Sequence, residues 1–151
     1  MPAITEKRKK VLHRLLICIS LTWLGMILGI SFLEAPLKFT APGVTPEIGL
    51  SIGGKVFGAF NKIECALAIA MALLTVIIRQ KGRLLVYLII VWSALAIQTL
   101  WLLPVLMDRI ELILQGQRPA SSPLHSFYIF LEILKAMLLA VYGFYAFRER
   151  S

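Results

Sequence analysis

Residues 84–107, LLVYLIIVWSALAIQTLWLLPVLM, run for 24 positions between Arg83 and Asp108 without a charge. A helix needs about 20 predominantly apolar residues to cross the ~30 Å hydrocarbon core of a bilayer. Working outward, residues 15–33 give a second charge-free run, between Arg14 and Glu34. Two further stretches are as apolar but carry charge: 56–78 contains Lys62 and Glu64, and 126–147 contains Glu132 and Lys135. Four spans of this kind predict an all-α, integral membrane four-helix bundle. Residues 1–14 are then a basic terminal segment, 15–147 the membrane domain and 148–151 a short tail.

The composition of the 151 residues supports the same class. Hydrophobic residues make up 59% and charged residues 16%, and mean hydropathy is +0.84. A soluble domain is nearer 45–50% apolar and about 25% charged, and a soluble fold of this size could not bury the excess. Disorder and a disulfide scaffold are excluded on the same grounds. The first span is too long for a signal-peptide core and reads as a retained helix. Cys18 and Cys65 fall at different depths and read as two inert thiols.

Charge gives an expected direction. With four spans, the first segment, the loop at 79–83 and the tail share one side. That side holds ten of the sixteen basic residues: Lys7, Arg8, Lys9, Lys10, Arg14, Arg79, Lys81, Arg83, Arg148 and Arg150. The positive-inside rule places both termini in the cytoplasm, in an inner or cytoplasmic membrane. The net charge of +8 is then a basic rim facing anionic headgroups. Without a basic motif interleaved with aromatics, no nucleic-acid partner is expected. The five-residue loop at 79–83 makes the second and third helices antiparallel neighbours. Two longer outer connections are expected over about 34–55 and 108–125. Pro36 and Pro104 are expected to kink or end their helices. Gly25-x-x-x-Gly29 and Gly54-x-x-x-Gly58, the latter continued by Asn61, Cys65, Ala68 and Ala72, read as close helix contacts, within the monomer or in a homo-oligomer.

The chemistry concentrates in one layer. His125, Tyr128, Glu132 and Lys135 are spaced 3, 4, 3 and share a helical face. Glu132 falls ~9 Å and Lys135 ~14 Å inside the span, where a charge costs roughly 2.5–3.5 kcal/mol and usually faces the bundle interior. Gln98, Trp101, Val105 and Asp108 repeat that spacing on the third helix. Asn61 and Glu64 lie one turn apart on the second, and Ser31, Glu34 and Lys38 leave the first. All four helices thus bring polar groups to the extracytoplasmic half. The candidate site is Glu34, Lys38, Asn61, Glu64, Gln98, Asp108, His125, Tyr128, Glu132 and Lys135.

Three readings stay open. In one, an outward polar pocket binds or transports an ion, a proton or a small polar solute, with Glu132 and Glu64 taking the cation, Lys135 balancing charge, and His125 and Tyr128 lining the entrance. In another, the layer only fixes helix packing in a structural or assembly subunit with a membrane-protein partner. A membrane enzyme using His125 and Glu132 is the third. No H-E-x-x-H, C-x-x-C, Walker or G-x-S-x-G motif is present, and no cofactor is implied. His125 with Glu132 as a metal or proton-relay pair is weaker than a structural histidine at the interface. Met26, Met71, Met107 and Met137 are scattered, as packing residues are.

Phe32-x-x-x-Pro36-x-x-Phe39, Gly54-Lys-Val-Phe-Gly-Ala-Phe60, and Pro104 followed by Arg109 and then His125 resemble the transmembrane-protein-205-like family over residues 15–147. The resemblance implies a four-helix integral membrane fold. In the family's animal members it also implies an association with metal-drug resistance. Glu132 and Lys135 match no motif of that family, so their role rests on the residues themselves.

Overall fold

The computed structural model describes residues 6–148. Positions 1–5 of the basic first segment and 149–151 of the tail lie outside the described residues. Four long helical rods account for nearly everything described: α1 Glu6–Thr40, α2 Pro46–Ile78, α3 Arg83–Leu114 and α4 Leu124–Arg148, each long and apolar enough to cross a membrane. No strand occurs among the described residues. Leu100, Val76, Phe147 and Leu33, among many, present large apolar side chains outward. A water-soluble surface would not carry such a belt, and a bilayer covers it. The architecture is that of a multi-pass membrane protein.

The rods overrun the predicted spans. The segment expected as a loop over 34–55 is almost entirely helical, with only 41–45 between α1 and α2. Thr45 caps α2 by accepting from the Ile48 amide at 3.3 Å, and Pro46 takes the first helical position, where its missing N–H costs nothing. At the far end of α2, Arg79 adopts the left-handed conformation at φ 55°, and Gly82 opens α3 with φ 71°. These two residues make the tight turn between antiparallel rods.

Pro36 and Pro104 end neither helix. A π-helical segment precedes each: Leu28–Glu34 in α1 and Gln98–Leu102 in α3. Both stop two residues short of the proline. Proline supplies no amide to the carbonyl four residues back. Widening the turn redirects neighbouring bonds to i−5: Ala35 N–H reaches the Ile30 carbonyl, and Leu103 N–H reaches that of Gln98. The helices therefore continue through their prolines.

In the bundle, α1 packs on α4 and α2, and α4 also packs on α3. Against α3, α2 packs mainly on the last part, residues 103–114. Midway, these two neighbours part around a groove of about 380 Å³ lined by Cys65, Ala68, Ala72, Trp92 and Thr99. The expected small-residue contact is thus only partly made. Gly54 meets Met107, but a Cβ on Gly25, Gly29 or Gly58 would find nothing within 4 Å. Both cysteines are free.

The interior divides along the bundle axis. Toward the 79–83 turn, a continuous apolar core joins Leu16, Met71, Leu88, Leu139 and Tyr142, all at most 1% exposed. Toward the opposite end, the buried apolar set shrinks to Ala94, Leu102, Tyr128 and Leu131. Between and beside these two clusters lie the buried charges.

Candidate functional site

α4 is regular throughout the site, so its 3, 4, 3 stripe survives folding. Lys135 is fully buried, and its ammonium lies 2.5 Å from Glu64 Oε1 and 3.0 Å from Glu132 Oε1. Glu64, from α2, is likewise fully buried, and its Oε1 also accepts from the Trp23 indole of α1 at 2.8 Å. Gln98 Nε2, at the start of the α3 π segment, donates to Glu132 Oε1 at 2.9 Å and to the Tyr128 carbonyl at 3.3 Å. Ser31, inside the α1 π segment, donates to Glu132 Oε2 at 3.2 Å. One carboxylate, Glu132, therefore collects groups from both widened turns. Charge-assisted bonds of this kind are what make such a layer tolerable away from water. The trio of two carboxylates and one ammonium carries a formal charge of −1.

Above this layer opens a cavity of about 510 Å³, in the half of the bundle away from the 79–83 turn. Ser31 and Glu132 line its deep end, and Lys38, Arg109 and His125 line its mouth. The walls between are apolar and aromatic: Phe32, Phe39, Phe57, Met107 and Ile129 are among them. Seven residues separate Glu132 from His125 on α4, and seven separate Ser31 from Lys38 on α1, so floor and mouth are roughly 10 Å apart along either rod. The Tyr128 hydroxyl is buried and makes no hydrogen bond, and the Tyr128 ring meets Phe57 edge-on at 5.8 Å. Glu64 Oε2 and Gln98 Oε1 are two further buried oxygens without a partner.

At the mouth, Lys38 pairs with Glu34 one turn back at 3.3 Å. Its ammonium also lies 5.4 Å from the centre of the Phe57 ring and 5.6 Å from that of Phe39. The closeness depends on absent side chains. A Cβ on Gly53 would come within 2.9 Å of the Lys38 nitrogen, and one on Gly49 would run into the Phe39 ring. Arg109 donates to the Ala120 carbonyl, tying the 115–123 connection to the rim.

Of the residues singled out from sequence, Glu64, Gln98, Glu132 and Lys135 form one buried cluster, and Tyr128, His125 and Lys38 line the cavity with Glu34 holding Lys38. Asn61 stands apart, donating to Thr99 Oγ1 at 2.9 Å, with Cys65 Sγ 3.8 Å from the same oxygen. Asp108 is exposed and outside the cavity. The π segment explains this. The 3, 4, 3 spacing from Gln98 to Asp108 assumes a uniform α-helix, and the widened turn over Gln98–Leu102 rotates everything after it. Trp101 accordingly faces out at 53% exposure while Gln98 is at 0%.

Sequence reasoning missed Trp23 and Thr99. The signal for Trp23 was chemical: an indole N–H within an apolar span requires an acceptor. His125 and Glu132 stand two helical turns apart on α4, roughly 10 Å along the rod, and both line the cavity. No group of three His, Cys, Asp or Glu side chains able to hold a metal occurs among the described residues.

Comparison with known protein families, curated proteins and solved structures returns no match for this chain. Phe32, Pro36, Phe39, Gly54, Phe57, Arg109 and His125 all line the cavity.

Proposed function

We propose that this chain is a solute-binding protein of a cytoplasmic-type membrane. Both termini lie in the cytoplasm, and the cavity opens on the extracytoplasmic side to take a small solute bearing a positive charge or a proton. The orientation rests on basic residues, nine of them among the described residues (Lys7, Arg8, Lys9, Lys10, Arg14, Arg79, Lys81, Arg83 and Arg148), gathered at the end away from the cavity. The binding reading is carried by one observation: a cavity of drug-molecule size ends on Glu132, a carboxylate only 1% exposed within a cluster of net negative formal charge. Lys135 already fills the space between the two carboxylates, so Glu64 is a positioning residue and Glu132 the group that meets the solute. The family resemblance, whose animal members are associated with metal-drug resistance, is compatible with a role in handling an incoming compound.

A second reading has its own observation in support. The polar layer takes side chains from all four rods, Trp23 and Ser31, Glu64, Gln98, and Glu132 with Lys135. That is also how a layer that only fixes helix packing is built. Thermal stability of the purified protein in detergent separates the two, measured for wild type and Glu132→Gln against a panel of cations and across pH. A stabilising cation or pH step that disappears in Glu132→Gln supports solute binding. A variant that is simply less stable, with no solute or pH effect in either protein, supports scaffolding.

A further inference from the structure

The geometry points to a primary ammonium carrying an apolar, aromatic-sized body as the chemical class the cavity takes, seated amine-first at Glu132; this rests on the solute-binding reading above. Three oxygen-bearing side chains line the deep end: Glu132, Ser31 and Tyr128. Glu132 Oε2 accepts only from Ser31 among the described residues. Ser31 gives its hydrogen to that bond and keeps its lone pairs. Tyr128, 3% exposed and one turn from Glu132 on the same face, has a buried hydroxyl that interacts with Glu132 but completes no hydrogen bond, so its lone pairs are free to accept. A primary ammonium offers three N–H donors and needs three acceptors. The protein already pairs a primary ammonium with this carboxylate one turn deeper, where Lys135 sits between Glu64 and Glu132.

Charge and shape agree on the remainder of the molecule. One positive charge brings the buried trio to formal neutrality. A bare inorganic ion would do that too, but it would leave a largely apolar cavity of some 510 Å³ to be filled with water. An apolar body removes that wall from water, and the rings of Phe32 and Phe57 are part of the surface it would cover. The basic rim opposes this only weakly. Lys38 is answered by Glu34, and Arg109 stands at the mouth, where solvent and salt screen it. The charge at the floor is buried and screened much less.

Phenethylammonium is a suitable probe, compared with its trimethylammonium analogue, phenethyl alcohol and sodium ion, at constant ionic strength. The readout is the thermal midpoint of the full chain in detergent. Phenethylammonium is expected to raise the midpoint of wild type with dose. Tyr128→Phe, which keeps the ring and its packing, should weaken the apparent affinity at least tenfold, and Glu132→Gln should abolish it. The trimethyl analogue, without N–H donors, should be at least tenfold weaker. Equal stabilisation by the alcohol overturns the inference, because apolar filling alone would then account for binding. Stabilisation by sodium or acid and not by the amine overturns it while leaving the solute-binding reading standing. No effect from any probe on wild type overturns both. If Glu132→Gln does not fold, Tyr128→Phe and the trimethyl analogue decide the matter.

Discussion

The two halves of the bundle are built by different rules. Toward the 79–83 turn, regular α-helices bury leucine, methionine and tyrosine, and no buried Asp, Glu, Lys or Arg occurs there among the described residues. Toward the cavity, two of the four rods widen into π turns, the three buried charges among the described residues (Glu64, Glu132 and Lys135) gather at its base, and the apolar set is small. The difference teaches that backbone irregularity and buried charge are placed together. Each π turn aims a donor, Ser31 or Gln98, at the same carboxylate. A membrane protein tolerates such irregularity only where protein or water answers the freed groups.

The hardest way to break this contrast is to remove the one cation that holds the layer. Lys135→Met leaves two buried carboxylates facing each other, at a cost of about 3–5 kcal/mol. It is expected to yield little folded protein by size-exclusion and thermal unfolding in detergent. Adding Glu64→Gln and Glu132→Gln should recover most of that loss, since a whole ion cluster replaced by neutral groups is often close to neutral in stability. A Lys135→Met protein as stable as wild type would show that the layer is not held by ion pairing.

Truncation on each side measures the same contrast more gently. Leu88→Ala, at a fully buried core position, should cost about 2–5 kcal/mol. Leu106→Ala, half-buried on the cavity wall, should cost about 1 kcal/mol or less, because less contact is lost beside an existing space. Equal losses at the two positions would mean that the cavity half is packed as tightly as the other.

The smallest expected effect sharpens the role of the prolines. Pro104→Ala restores the amide missing from α3 and should change stability by less than about 1 kcal/mol. Hydrogen–deuterium exchange over residues 98–104 should nonetheless slow as the turn narrows, and any solute-linked stabilisation should decline as Gln98 leaves Glu132. Unchanged exchange would show that the π turn persists without its proline.

This contrast also marks what could be read from the sequence. The four rods were legible because charge-free length is sufficient to define a span, and the α4 stripe was legible because α4 keeps one period from His125 to Lys135. The long outer loop over 34–55 was a misreading of Pro36, Pro46 and several glycines as breakers; one proline is absorbed by a π turn and another starts a helix. Asp108 was placed in the site by a period that the π turn interrupts. Trp23 and Thr99 stayed hidden because their partners, Glu64 and Asn61, lie on other rods, and helix rotation is set by packing that no single rod records.

The dry half has an electrical consequence. In the proposed orientation, a cation seated at Glu132 has moved roughly 10 Å inward of a ~30 Å core. Carrying one charge across the full membrane is worth about 2.3 kcal/mol per 100 mV. One third of that, about 0.8 kcal/mol or a fourfold change in occupancy, is the most that an inside-negative potential of 100 mV would add to binding at this depth. Water in the vestibule lowers the figure by moving the voltage drop onto the apolar core below. An energised membrane would thus load the site more fully than a depolarised one, with Leu16, Leu88 and Leu139 acting as the insulator.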